Sequence, residues 1–203
     1  MNLPNKKYNI IYADPAWTFK TWSSKGDEKS PKYDLMTIED IKNMPVDNIA
    51  DKDCILFIWV TYPLLKEGLD TIKSWNFKYK TCAFSWIKKN KKTDSLFWGL
   101  GYYTRSNNEI CLLATKGKPK RISSAVHQVV IDKIREHSRK PDCVRDRIVQ
   151  LCGDLPRIEL FARQRVDGWD CWGNEVWVGL LKRLILSFWT TWYWIAMRSF
   201  YIF

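Results

Sequence analysis

The fold of this chain is decided by one stretch near its beginning, Tyr8-Asn9-Ile10-Ile11-Tyr12-Ala13-Asp14-Pro15-Ala16-Trp17. The apolar run Tyr8–Ala13 predicts a buried β-strand, and Asp14-Pro15 predicts that the strand ends there in a turn. Such an ending presents a carboxylate, the Pro15 carbonyl and the Trp17 ring together. Two acceptors can bind the N–H groups of an exocyclic base amine, and an indole can stack on a base that has left the helix. An ordinary exit from a strand into a turn is the alternative.

Further along the chain, apolar runs and helical patterns alternate. Strands are predicted at residues 55–61, 79–86, 109–115 and 158–162, all of them continuous apolar runs typical of strands covered on both faces. A helix is predicted at residues 38–44, after the cap Thr37. Two more helical faces are marked by Leu65, Leu69, Ile72 and Trp75, and by Val144, Ile148 and Leu151 after Pro141. This alternation predicts an α/β domain whose sheet is largely parallel. Ligands should bind beyond the carboxyl ends of the strands, at the edge where Asp14 lies.

The composition favours a polyanionic partner. Lys and Arg number 33 against 22 Asp and Glu, which gives a net charge of +11, and most of this excess lies in residues 1–176. Two groups of cations are expected to form one rim that holds phosphates: Lys88, Lys89, Lys91 and Lys92, and Lys116, Lys118, Lys120 and Arg121. A solvated loop surface is the alternative.

Metal chemistry and disulfides are not expected. The chain has two histidines, His127 and His137, without a cluster of ligands around either, so no metal site is predicted. Its six cysteines form no C-x-x-C pair, and no amino-terminal signal peptide is recognised. A reduced, cytoplasmic setting is therefore expected.

The last residues, 177–203, form an apolar tail. Residues 184–197 are uncharged and rich in Trp, Leu and Ile, but fourteen residues are too few for an ordinary membrane span. With Lys182-Arg183 in front, the tail suits an interfacial anchor, a segment docked on the body, or a non-native extension, and we favour the last. Membrane association is not expected unless the tail is native.

Seven short motifs in order resemble one family, the adenine methyltransferases named after the seventy-kilodalton subunit of mRNA adenosine methyltransferase. They span residues 8–176 and are Ala13-Asp14-Pro15-Ala16-Trp17, Leu56-Phe57-Ile58-Trp59-Val60-Thr61, Ser85-Trp86-Ile87-Lys88, residues 105–109, Ser138-Arg139-Lys140-Pro141-Asp142, Ile158-Glu159-Leu160-Phe161-Ala162-Arg163, and Trp172-Gly173-Asn174-Glu175. The resemblance implies one methyltransferase domain over residues 1–176. It also implies a Rossmann-like fold in circularly permuted order, with a mostly parallel sheet and helices on both faces.

The resemblance also implies a cofactor, S-adenosyl-L-methionine, and a set of site residues. Asp14, Pro15 and Trp17 would be catalytic, and Asp14 would also face the cofactor. The other residues expected to bind the cofactor are Lys140 at its carboxylate, with Glu159, Arg163, Asn174 and Glu175 along its methionine or ribose. On the substrate side the expected residues are Trp17, Tyr33, Lys88, Arg105 and Glu109.

One departure from the family concerns the catalytic tetrapeptide, where Ala16 replaces the usual second proline and should loosen the loop. The leading hypothesis is a phage or bacterial enzyme, of the kind found in restriction–modification, that methylates the 6-amino group of adenine in DNA. The alternatives are an inactive nucleic-acid-binding partner subunit, methylation of adenine in RNA, and methylation of the cytosine 4-amino group.

Overall fold

The computed structural model describes residues 2–17, 36–101, 103–136, 139–174 and 176. Two of the predicted site residues, Tyr33 and Glu175, lie outside these ranges. The apolar tail, residues 177–203, also lies outside them, so the proposed division into a domain and a tail stays a prediction.

Seven strands form one sheet in the described part of the chain. They are β1 Tyr8–Ala13, β2 Ala50–Val60, β3 Lys78–Lys89, β4 Glu109–Lys116, β5 Val129–Lys133, β6 Arg157–Leu160 and β7 Asp170–Trp172. The five predicted strands are all present, and β1 has the predicted bounds. We did not predict β5 and β7. β5 is an edge strand whose apolar run is limited to Val129-Val130-Ile131, of which only Val130 is buried, and β7 has three residues.

The order across the sheet is β5-β3-β4-β2-β1-β6-β7. The pairings β1–β2, β1–β6, β6–β7 and β3–β5 are parallel, whereas β4 is antiparallel to both of its neighbours. The prediction of a mostly parallel sheet is therefore confirmed. Because β4 runs against the others, it begins at the edge where they end, and this places Glu109 on the same side of the sheet as Asp14.

The described residues contain three α-helices: α1 Ile38–Lys42, α2 Leu65–Ser74 and α3 Cys143–Cys152. The predicted cap is confirmed, because the hydroxyl of Thr37 accepts a hydrogen bond from the Asp40 N–H at 3.1 Å. α1 ends two residues before the predicted position. Pro141 precedes the cap residue Asp142, so it lies just outside α3 and its carbonyl accepts from the Val144 N–H. No helix of the described ranges is long and apolar enough to cross a membrane.

The core has two layers, one on each face of the sheet. Along β1, Ile11 and Ala13 point to the layer that holds α1 and α2, and Ile10 and Tyr12 point to the layer that holds α3. The first layer includes Ile41, Ile72 and Trp75, and the second includes Val144 and Ile148. Both faces are thus covered by helices, as predicted, and this is why the central strands read as continuous apolar runs.

The antiparallel β4 corrects the prediction of one basic rim. Lys116 ends β4 opposite Cys54, near the start of β2, whereas Lys88 lies near the end of β3. The two groups of cations therefore lie at opposite edges of the sheet, and the prediction is wrong. At its own edge, the Lys116 ammonium donates to the Asp47 carboxylate.

The order of strands along the chain is permuted in the way that the resemblance implies. The chain passes from β1 to β2 on one side, while β6, which comes late in the sequence, pairs with the other side of β1. The carboxyl ends of β1 and β6 therefore meet at the point where the strand order reverses. In sheets of this kind that point forms a crevice in which ligands bind.

Candidate active site

The candidate site lies at the crevice between the ends of β1 and β6. Asp14 directly follows β1, and its N–H approaches the carbonyl of Leu160, the last residue of β6, at 3.4 Å. An open cleft lies beside it. The cleft is lined by Tyr12, Asp14, Arg139, Lys140, Arg145, Glu159, Phe161, Arg163 and Gln164. Polar and charged side chains thus surround two aromatic rings.

A chain of four charged side chains runs from Asp14 into the protein. The ammonium of Lys140 donates to both oxygens of the Asp14 carboxylate, at 2.8 and 2.9 Å, and contacts the carboxylate of Glu109 at 3.3 Å. The other oxygen of Glu109 accepts from the ammonium of Lys88 at 2.5 Å. The side chain of Lys140 is 9% exposed and that of Glu109 is 13% exposed. Two negative and two positive charges therefore alternate in a largely desolvated row.

The alternation holds Lys140 and Glu109 in their charged forms. Burial alone would lower the pKa of Lys140, but the charges of Asp14 and Glu109 outweigh it, so the pKa lies above its ordinary value. Burial alone would raise the pKa of Glu109, but Lys140 and Lys88 outweigh it, and the pKa is lowered. Asp14 thus meets the cleft as a carboxylate whose position is held from behind by a buried cation.

Aromatic side chains support this row from the core. The Lys140 ammonium lies 5.6 Å from the centre of the Trp59 ring, and the Lys88 ammonium lies 5.2 Å from that of Trp86. The Trp59 indole N–H donates to the hydroxyl of Tyr12 at 2.7 Å. Both tryptophans are buried core residues, and their ring faces also hold the two lysines in place.

The predicted catalytic tetrapeptide makes a tight turn after Asp14. The Pro15 carbonyl accepts a hydrogen bond from the Trp17 N–H at 2.8 Å, and since a carbonyl oxygen has two lone pairs, one acceptor position remains. The Trp17 indole N–H donates to the Trp59 carbonyl at 3.0 Å. Trp17 is therefore half-buried and held by one edge, next to the acceptors that we predicted for the base amine.

Sequence reasoning missed Arg145, which forms the other wall of the cleft. Its guanidinium donates to both oxygens of Glu159 at 2.7 and 2.8 Å and lies 5.9 Å from the centre of the Tyr12 ring. Burial alone would lower the pKa of Arg145, but the bonds and charge of Glu159 raise it. One signal could have found Arg145, since it lies one turn before the buried Ile148 on α3 and so faces the sheet.

The turn after β6 completes the cleft with an unusual backbone. Phe161 has a φ of 62°, in the left-handed region that bulky residues rarely adopt, and its ring packs edge-on against Trp172 at 5.6 Å. Gly173 lies so close to this turn that a Cβ there would come within 2.3 Å of the Ala162 carbonyl oxygen. The two segments are thereby joined, and Asn174, which follows Gly173, is exposed and is not among the residues that line the cleft.

The structure brings together part of the predicted site. Asp14, Lys140, Glu159 and Arg163 line one cleft. Lys88 and Glu109 contact each other beside it, whereas the guanidinium of Arg105 binds carbonyls of its own loop at 2.8 and 3.1 Å. No group of three or more residues suited to hold a metal ion occurs in the described ranges.

The sheet with its antiparallel β4, and a carboxylate at the crevice between β1 and β6, define the Rossmann-like fold of S-adenosylmethionine-dependent methyltransferases. The chain belongs to the MT-A70 family, whose model matches residues 8–175. The resemblance noted from the motifs is thereby confirmed. The chain is a methyltransferase of this family.

Two kinds of relatives share this region. The Type II methyltransferase M.MunI of Mycoplasma sp is 36% identical over 193 residues, which cover 86% of this chain and 80% of that protein. The N(6)-adenosine-methyltransferase catalytic subunit METTL3 of Homo sapiens is 25% identical over 174 residues, covering 84% of this chain and 28% of that protein. The MT-A70-like protein of Drosophila melanogaster is 26% identical with similar coverage. The chain thus spans about a quarter of the length of these animal relatives.

Proposed function

We propose that this protein transfers a methyl group from S-adenosyl-L-methionine to the 6-amino group of adenine in DNA. The observation that carries the proposal is the position of Asp14-Pro15 at the crevice between β1 and β6. There a carboxylate and a carbonyl with a remaining acceptor position stand together beside a cleft of mixed charge.

The acidic, basic and aromatic side chains that line the cleft suit this cofactor. S-adenosylmethionine supplies a methyl group on a positively charged sulfur and also carries an ammonium, a carboxylate, a ribose and an adenine. Asp14 is suited to the positive sulfur, and the cations Arg139, Lys140 and Arg163 are suited to the carboxylate. Phe161 offers an apolar ring to the rest of the molecule.

Two acceptors of this chain would bind and orient the target amine. A carboxylate has about four lone-pair positions, of which Lys140 occupies two at Asp14, so capacity remains for an N–H of the base. The Pro15 carbonyl can accept the second N–H. Because both acceptors withdraw the amine protons from the plane of the base, they favour the tetrahedral geometry that a nucleophilic nitrogen needs.

Asp14 remains useful as the charge moves. With the cofactor bound, Asp14 would lie near both the positive sulfur and the target amine, because it lies between the cleft and the turn, and its carboxylate would stabilise a positive charge at either of them. Its side chain is 20% exposed, so the proton released from the nitrogen can pass through the carboxylate to water. The buried row behind it keeps the carboxylate from turning away, which is the main requirement for an in-line transfer.

One observation favours DNA over RNA as the substrate, and a second suits both. The relative M.MunI, whose name gives it as a type II methyltransferase, is similar over most of both chains. The net charge of +11 suits a polyanion of either kind. RNA is the second candidate, because METTL3 and the Drosophila relative are named as adenosine methyltransferases. Stacking and amine recognition do not distinguish the two sugars.

The test is transfer of tritiated methyl from S-adenosylmethionine to unmethylated DNA and, in parallel, to RNA, followed by digestion to nucleosides. The full chain is compared with Asp14→Ala and with Asp154→Ala, a control at an 86%-exposed carboxylate that precedes β6, at the edge of the sheet opposite Asp14. We expect methylated adenine from DNA with the parent and the control, and none with Asp14→Ala. Cofactor binding by calorimetry shows whether each variant remains folded and competent.

Each other product assigns a different function. Methylated cytosine would indicate the 4-amino group, and product from RNA alone would indicate an RNA enzyme. If the parent binds the cofactor but transfers nothing to either polymer, the chain is an inactive partner subunit and the proposal is wrong.

A further inference from the structure

The segment between β3 and β4 exposes large apolar side chains beside the active site. Trp98 is 56% exposed, Leu100 is 90% exposed and Tyr103 is fully exposed. This segment, residues 90–108, is called the β3–β4 loop below. Exposed large apolar residues grouped in one loop are unusual on a soluble protein surface and mark a binding surface.

The β3–β4 loop is held in one shape by its own polar groups. The guanidinium of Arg105 donates to the carbonyls of Gly99 and Trp98 at 2.8 and 3.1 Å, and the hydroxyl of Ser106 donates to the carbonyl of Leu100 at 2.8 Å. A Cβ at Gly101 would lie 2.0 Å from the Thr104 carbonyl, so the turn is tight. These bonds satisfy the carbonyls of the apolar residues while their side chains stay in water.

The base of the β3–β4 loop is fixed just as firmly. The amide of Asn107 donates to the carbonyls of Phe97 and Lys88, at 2.5 and 2.9 Å, and the Phe97 N–H donates to the Lys88 carbonyl. Lys88 is a member of the charged row that ends at Asp14. The loop is therefore a projection whose position is tied to the active site.

The β3–β4 loop lies at the carboxyl edge of the sheet, as Asp14 does. It leaves the end of β3 and enters β4 at Glu109, the residue that Lys140 joins to Asp14. Strands are about 4.8 Å apart, so the bases of the loop stand about 10 and 14 Å from β1. This span equals about three to four base steps of a duplex.

The charge of this part of the chain suits a nucleic acid. Residues 88–105 hold five cations and one carboxylate. Lys91 and Lys92 are exposed and precede the apolar tip in the same loop; the Lys91 ammonium pairs with Glu136 at 2.8 Å, and Lys92 can contact a phosphate. A second copy of this basic surface would repel it, which argues for a polyanion as the occupant.

We propose that the β3–β4 loop is a wedge that enters the base stack of duplex DNA within a few steps of the target adenine. Trp98 and Leu100 insert between base steps near the target, and Arg105 keeps the loop in the shape that does this. Eversion separates the adenine from its neighbours, and apolar side chains inserted between base steps offset that loss. The inference rests on the proposed function and names how the same site gains access to a paired base.

The test compares two forms of one substrate, unmethylated plasmid DNA as a native duplex and the same DNA after heat denaturation. Methyl transfer by the full chain is compared with Trp98→Ala, Leu100→Ala and Arg105→Lys. The control is Ile122→Ala, a 69%-exposed residue whose N–H binds the carbonyl of Leu151 near the end of α3, at the opposite edge. Arg105→Lys keeps the charge but not the fork that binds two carbonyls.

We expect each loop variant to lose about 10- to 100-fold in kcat/KM on the duplex, because unstacking a step costs a few kcal/mol. On denatured DNA each should stay within about twofold of the parent, as should Ile122→Ala on both forms. Equal losses on both forms, or no loss, would overturn the wedge while leaving the proposed function intact. A parent that transfers nothing would overturn both.

Sedimentation of the same proteins distinguishes the remaining explanation. The parent and the loop variants should sediment alike. If Trp98→Ala converts an oligomer to a monomer, the apolar tip is an interface between protein chains and the wedge is wrong.

Discussion

The buried row at Asp14 makes a prediction about stability that needs no substrate. Lys140→Met replaces a 9%-exposed ammonium by an apolar side chain of similar length. The carboxylates of Asp14 and Glu109 then lose the cation between them. Glu109 keeps its bond to Lys88, whereas Asp14 loses both of its bonds to the ammonium.

The magnitude follows from what remains unpaired. Removing one partner of a buried ion pair costs about 3–5 kcal/mol, because a buried charge is left uncompensated. Asp14 is 20% exposed and Glu109 retains one partner, so water and Lys88 offset part of the loss. We therefore expect the free energy of unfolding to fall by about 3 kcal/mol near neutral pH, at the lower end of that range.

The pH dependence should change sign. In the parent the pKa of Glu109 is lowered, so its contribution to stability is present above the ordinary value and is lost as the pH falls through the lowered pKa. In Lys140→Met, burial and the charge of Asp14 should raise that pKa above its unfolded value. The Glu109 carboxyl group then contributes its full stabilisation only below its pKa in the unfolded chain. That stabilisation is lost as the pH rises through its raised pKa in the folded protein.

Urea unfolding followed by tryptophan fluorescence measures both effects, at about pH 5 and about pH 7.5, on either side of the expected change. Lys140→Arg retains the positive charge, so its free energy of unfolding should fall less than that of Lys140→Met. Lys6→Met breaks a surface pair with Asp170 and should cost less than about 1 kcal/mol at either pH. A loss below 1 kcal/mol for Lys140→Met, or a loss that does not shrink at the lower pH, would refute the reasoning.

Three further predictions concern other parts of the fold. Arg145→Met should lower the free energy of unfolding in urea by about 3–5 kcal/mol, because it leaves the Glu159 carboxylate buried without its partner. The double variant with Glu159→Gln should be more stable than Arg145→Met, because no charge then stays buried. Equal losses of stability in the two proteins would contradict this. Gly173→Ala should lower the free energy of unfolding by about 1–3 kcal/mol, since the new Cβ meets the Ala162 backbone. It should also weaken cofactor binding measured by calorimetry. If neither stability nor binding changes, the turn can move to accommodate the methyl group. A thiol reagent should modify the exposed Cys143 before the buried thiols, so Cys143→Ser should remove the fast phase of the reaction.

The strand-and-helix order could be predicted because its signals are local. A continuous apolar run ending in Asp-Pro is enough to place Asp14 at the end of β1, and the β1 bounds agree with the prediction. Thr37 could be recognised as a cap because a cap is a contact between residues three positions apart. The edge strand β5 escaped recognition because one of its faces is in water and its apolar pattern is weak.

The contacts of the site could not be predicted in the same way. Glu109 meets Lys140 because β4 runs against its neighbours, and the same reversal carries Lys116 away from Lys88. No pattern within a few residues encodes the direction of a strand inside the sheet. Arg145 likewise acquires its role from β6, fourteen positions further along, through two hydrogen bonds with Glu159.

By itself, the sequence determined the class of fold, the family and the place of Asp14 at the end of β1, since hydrophobic period and short motifs are properties of neighbouring residues. Only the tertiary structure decided which charges compensate one another. Coulomb energy depends on separation in space and on burial, and both arise when distant segments pack together. The row from Asp14 to Lys88 is therefore a product of the folded sheet.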